Sequence, residues 1–310
     1  MQLGFAVPQA GSWATPDRMV LTATRAEELG YTSLWTFQRL AFPADPATSP
    51  TSKRWAPVYR SVHDPLTTLA YLAAHTRRAR LGVAVLNMPW FSPLLLAKQT
   101  TTVDVLSGGR LDIGLGQGWA AEEYAATGSP MDRRGARAEE FVAALRAIWT
   151  QDVVDVHGEF HSMHGIRVEP RPMQRPHPPV LLGGTVPAAL RRAGRIADGW
   201  ISGSGEDLTN IGSAIAVVRS GAEGTGRDPA ALRFICRGVV QVRREGRAGG
   251  SRRPLRGSYA DIRADLATLA AAGVTETFLD LNFDPQVGSV DADPDASTAR
   301  ALEVLEELAP

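Results

Sequence analysis

Asp104-Val105-Leu106-Ser107-Gly108-Gly109-Arg110-Leu111-Asp112-Ile113-Gly114-Leu115-Gly116-Gln117-Gly118-Trp119 reads as a helix end, a tight turn, a buried strand and a glycine loop opening the next helix. Gly108 and Gly109 can take the positive φ of a helix C-cap. Residues 111–115 form a short apolar run, the pattern of a parallel strand covered on both faces. Gly116-Gln117-Gly118 carries almost no bulk, so its amides can approach a flat or anionic ligand closely at a strand's C-terminal end. Spacing alone leaves two readings open, a cofactor floor and a plain glycine-rich turn.

Outward from this stretch the same unit recurs. Strands are predicted at residues 3–7, 33–37, 80–86, 111–115, 180–182, 199–201, 232–242 and 277–281, with amphipathic helices between them. That alternation predicts an α/β chain folded as one (β/α)8 TIM barrel over residues 1–310. A split into two open α/β domains near Pro170 is the weaker alternative, because the second half has too few strands for a sheet of its own. Residues 38–62, proline-rich and without periodicity, predict a lid-like loop after strand two. Residues 153–168 alternate and turn at His157-Gly158 and His164-Gly165, which predicts a hairpin inserted before strand five.

Composition narrows the function. Formal net charge is +0, so no overall field recruits nucleic acid or an anionic membrane. The single Cys236 excludes an intrachain disulfide and argues against a thiolate zinc site. The N-terminus lacks a basic signal region, and no apolar run approaches the roughly 18 residues of a membrane span, so a soluble cytoplasmic protein is expected.

The predicted strand ends bring together Gln9, Gln38, Arg39, Asn87, the 116–119 loop, Gly183-Gly184-Thr185, Ser202 and Asn282. This set is apolar, aromatic, amide and glycine, without a paired carboxylate, histidine cluster or nucleophilic triad. Such a site suits a protein whose cofactor performs the hard step. Gly183-Gly184-Thr185 before a helix offers amides and a hydroxyl at a positive helix end, either a phosphate site or a capped turn. His157, His161 and His164 read as a surface hairpin rather than metal ligands, so no metal is expected. The arginine-rich run 243–256 reads either as a solvated loop or as a grip for a polyanionic tail.

Ala97-Lys-Gln99, the stretch 104–119, Gly183-Gly184-Thr185 and Ala197-Asp-Gly-Trp200 resemble the luciferase-like monooxygenase superfamily over about residues 1–281, most of all its F420-dependent branch. The resemblance implies a flavin-like ring over strands three and four, with a non-proline cis peptide at Ala84–Val85. Ala84, Val85, Leu86 and Asn87 would then back the ring. Gly116, Gln117 and Gly118 would meet its edge, and Gly183, Gly184 and Thr185 would hold its phosphate. Relatives often carry an acid–base pair after strand two and a glutamate in the glycine loop; here Gln38, Arg39 and Trp119 stand there. Arg39 would fix a carboxylate or carbonyl and Trp119 would form an aromatic wall. The function implied is F420-dependent hydride transfer to or from a small organic substrate. The alternatives are an FMN-dependent two-component monooxygenase and a non-catalytic flavin-binding barrel; a flavin or F420 reductase, according to the cofactor, would be a diffusible supplier. Family members commonly form homodimers.

Overall fold

The computed structural model describes residues 1–243 and 252–310. Parallel strands β1 (Gln2–Ala6), β2 (Ser33–Thr36), β3 (Arg80–Asn87), β4 (Leu111–Gly116), β5 (Val180–Gly183), β6 (Gly199–Ile201), β7 (Arg233–Val239) and β8 (Glu276–Asp280) close into a barrel. Each pairs with the next in chain order, and β8 returns to β1. The predicted (β/α)8 barrel is therefore the observed fold. Around it lie α1 (Pro16–Glu28), α2 (Pro65–His75), α3 (Pro93–Leu106), α4 (Ala121–Thr127), α5 (Arg134–Thr150), α6 (Pro187–Ile196), α7 (Ile211–Glu223), α8 (Tyr259–Ala271) and α9 (Pro294–Glu307). No helix among the described residues is long and apolar enough to cross a membrane.

Helix starts follow their capping chemistry. Asp64, Ser92 and Asp293 accept from the amides of Thr67, Leu95 and Ala296, each before a proline at the first helical position. Ser258 and Asp261 form a reciprocal capping box. The opening stretch behaves as read: Gly108 and Gly109 have φ of 70° and 81°. Arg110 then spans to the carbonyls of Ala73, Thr76 and Ala79, locking this turn to the one that precedes β3. Asp104 accepts from the amides of Met173 and Gln174 and so fixes the linker into β5.

The barrel interior is layered. Across its middle Trp35 stacks on Phe278 with centroids 4.9 Å apart. Gly82 makes room, since a Cβ there would sit 2.4 Å from the indole. At the N-terminal end Asp112 receives Arg80 and Arg233, while Glu276 receives Ser33, Trp35 and Arg233. Burial pushes the Asp112 carboxyl up, but the two guanidiniums outweigh it and hold it below the ordinary carboxylate range. This polar plug closes the bottom, so the accessible end is the C-terminal one.

The inserted hairpin is present, with Val154–His157 antiparallel to Ser162–Ile166. The lid is partly ordered by 3-10 turns at Pro46–Thr48, Ser52–Arg54 and Pro57–Arg60. The predicted strand 232–242 stops at Val239, and Gln241–Val242 leaves the barrel to pair with Arg256–Gly257. Residues 244–251 of the basic run lie outside the described residues.

Candidate functional site

A bulge builds the floor. Val83 pairs with Ile113, but the next pair on β3 is Leu86 with Leu115, so β3 holds one extra residue. The extra residue turns both Ala84 and Val85 into the barrel, where Val85 packs on the interior cluster and stays half-buried. The Ala84–Val85 peptide is cis. Facing it, a Cβ on Gly116 would lie 2.5 Å from Val85 Cγ2, so only glycine lets the bulge seat against β4. Leu86 departs from its expected place behind the ring. Side chains alternate along a strand, and after the bulge Leu86 points outward into the core under the helices, fully buried.

Above this floor lies a cavity of about 330 Å³. Gln38, Arg39, Ala84, Val85, Asn87, Gly116, Gln117, Gly118, Trp119, Gly183, Gly184 and Thr185 all line it. Gln38 does not reach for a ligand with its carbonyl: Oε1 accepts from Asn87 N at 2.8 Å and from Asn87 Nδ2 at 3.3 Å, fastening the end of β3.

Arg39 is boxed by aromatic rings, 4.7 Å from the Trp119 centroid and 4.9 Å from that of Tyr59. Burial lowers its pKa, and Glu123, 3.2 Å away and fully buried, counters that. The same carboxylate accepts from Leu40 N and Ala41 N, anchoring the first lid residues. Arg39 is thus a paired element of the wall, not a free hook for an anion. Trp119 lines the cavity with its ring edge-on to Trp55 at 4.9 Å. Glu122 ties the lid further through Ser49 and Thr51.

Sequence reading missed Arg237. It lies within the cavity wall, 7% exposed, with Nε donating to Asp280 at 2.7 Å and Nη1 donating to the Ala84 carbonyl at 3.1 Å. Its guanidinium stacks 4.4 Å from the Phe283 centroid. A signal existed, because Arg233, Ile235 and Arg237 alternate on β7 and therefore share the inward face. Glu123 was missed too, since it sits in a short helix beyond the glycine loop and reaches the lid only through tertiary structure.

The far rim is a glycine turn at a helix start. Gly183 and Gly184 lead into Thr185 and the start of α6, and Trp200 Nε1 donates to the Gly184 carbonyl at 2.9 Å. The helix cap falls on Val186, one residue beyond Thr185, which leaves the Thr185 hydroxyl exposed. Arg134, on the same wall, has no carboxylate partner among the described residues. A second cavity of about 410 Å³ adjoins the first and shares Ser204 and Arg237 with it. Arg252, Arg253 and Arg256 line it; burial lowers the pKa of Arg256, and its like-charged neighbours Arg253 and Arg243 lower it further. Glu206 and Asp207 also line it, and burial pushes the Glu206 carboxyl up.

Small residues make a flat shelf, an aromatic wall faces it, Arg134 stands at the rim, and an adjoining cavity carries arginines and two carboxylates. That arrangement fits a planar ring with a phosphorylated tail. It provides no unpaired carboxylate or imidazole for proton transfer among the described residues of the first cavity.

A dimethylsulfone monooxygenase of Pseudomonas putida, described as FMNH2-dependent, is 37% identical over 167 residues, 53% of this chain and 46% of that protein. The chain thus spans under half the length of that relative. Among solved structures, a monooxygenase from Streptomyces bottropensis shares the fold with a TM-score of 0.77 at 23% identity, over 99% of this chain and 98% of the other. The coenzyme F420-dependent tetrahydromethanopterin reductase of Methanopyrus kandleri does so with a TM-score of 0.75 at 16% identity, over 99% and 98%. Residues 2–275 match the family described as luciferase-like monooxygenase. The chain belongs to the luciferase-like monooxygenase family.

Proposed function

We propose that this enzyme is an F420-dependent oxidoreductase that moves a hydride between the deazaflavin and a small, mainly apolar or aromatic substrate. The observation that carries this reading is the second cavity. It continues from the shelf through Ser204 to Arg253 and Arg256, whose charges would meet a long anionic tail on the side of the cavity away from Glu206 and Asp207. Ala84, Val85 and Asn87 would lie under the ring, and Gly116, Gln117 and Gly118 along its edge. Gly183, Gly184, Thr185 and Arg134 would take the phosphate. When bound, the deazaflavin supplies the hydride chemistry. The chain's own contribution is orientation and exclusion of water: Gln38 holds Asn87, and the Arg39–Glu123 pair braces Trp119 against Tyr59 of the lid. With no free acid or base in the first cavity, the substrate would exchange its proton with water or within itself.

The second reading is a monooxygenase using FMNH2 supplied by a separate reductase. The relative from Pseudomonas putida favours it. Fluorescence titration of the purified chain distinguishes the two. The expected result is F420 binding at least about tenfold tighter than FMN, with Arg256→Glu weakening F420 about tenfold and leaving FMN unchanged, the loss of one charge-assisted contact. Tight FMN binding without F420 binding would overturn the proposal in favour of the second reading.

A further inference from the structure

The inserted hairpin carries chemistry that the barrel site does not use. We propose that Asp155, His157 and His164 form a surface site for a borderline divalent transition-metal ion such as Zn2+. Spacing in the sequence groups His157 with His161 and His164, but the structure regroups them. His161 turns onto Phe141, with ring centroids 5.6 Å apart, and Glu159 pairs with Arg133. Asp155 takes the place of both.

Asp155 and His157 lie two apart on one strand and so share a face, while His164 comes from the antiparallel partner. The two imidazole centroids are 4.5 Å apart. One ligand atom from each of the three residues lies within 4.8 Å of the other two. Ligands at Zn–N distances of about 2.0–2.1 Å in a tetrahedral site stand roughly 3.3 Å from one another. All three side chains are exposed, so small rotations close that gap.

The surroundings leave these groups available. Among the described residues neither imidazole makes a hydrogen bond and no arginine pairs with Asp155. Asp155 Oδ1 accepts from Gly165 N at 2.9 Å, which aims the carboxylate and leaves Oδ2 free. Glu140 on α5 accepts from the amides of Glu159, Phe160 and His161, so the turn joining the strands is fixed to the barrel. Two imidazoles and one carboxylate select borderline ions such as Zn2+ over Ca2+ or Mg2+, which prefer all-oxygen ligands. Three protein ligands leave a position for water.

Calorimetric titration of the chelator-stripped full chain with Zn2+ tests the site. One saturable site per chain is expected, weakened by about tenfold or more in His157→Ala and in His164→Ala. His75→Ala, on α2, should leave it unchanged. Labelling with diethyl pyrocarbonate, mapped by peptide mass, reads the same site in the unsubstituted chain: Zn2+ should protect His157 and His164 and leave His75 reactive. Absence of saturable binding, full binding in the His157→Ala/His164→Ala double variant, or protection confined to other histidines would overturn the assignment.

Discussion

Arg237 shows how one residue joins stability to the site. Its guanidinium is buried with Asp280, whose carboxylate also accepts from Asn282, and it touches the carbonyl of the residue that begins the bulge. Removing one partner of a buried ion pair leaves an uncompensated charge and costs about 3–5 kcal/mol. Arg237→Met should lower unfolding stability by that order in urea titrations. Adding Asp280→Asn should recover part of the loss, because the stranded charge is then gone. Additive losses in the double variant would show that the two groups are not coupled. The alternation along β7 carries a signal that Arg237 faces inward, yet nothing in one sequence tells which partner waits there. Asp280 lies on a neighbouring strand 43 residues away.

At the scale of elements, α4 and the lid form one unit. Glu123 caps Leu40 and Ala41, and Glu122 holds Ser49 and Thr51, whose neighbour Trp55 leans on Trp119. Glu122→Ala should leave the barrel's melting temperature nearly unchanged and speed tryptic cleavage at Arg54, since local opening is governed by local contacts. Unaltered cleavage would mean that the aromatic cluster alone holds the lid. The lid was legible as a proline-rich stretch without periodicity, and the hairpin as alternation between glycine turns. Their tethers were not legible. Glu122 and Glu123 act across tens of residues, and helical periodicity says only that they sit in the first turn of α4. Leu86 was misplaced for a related reason: a bulge shifts the inward face by one residue, and no residue type announces it.

Across the whole molecule, a plug at one end and a shelf at the other share the same strands. Asp112 and Gly116 sit on β4 at opposite ends of the barrel, so the stretch 104–119 sets helix end, plug and floor together. Its glycines and apolar run were legible as one β/α unit, and the barrel was legible only from the recurrence of that unit along the chain. Asp112→Asn should cost about 3 kcal/mol near neutral pH by stranding Arg80 and leaving Arg233 with Glu276 alone. The Asp112 pKa is lowered in the folded state, so its contribution is complete above the unfolded value of about 4 and is lost as pH falls through the folded one. The gap between the original chain and Asp112→Asn should therefore shrink in urea titrations carried out in increasingly acidic buffer. A gap independent of pH would assign the cost to packing rather than charge.

The bulged end of β3 and the glycines of β4 form the shelf proposed for a planar redox ring. A crystal structure of the chain soaked with F420 tests it most directly. The ring is expected against Val85 and Gly116, its phosphate at Gly184 and Thr185, and its tail toward Arg256. A ring bound elsewhere, or a tail directed away from the arginine-lined cavity, would contradict it.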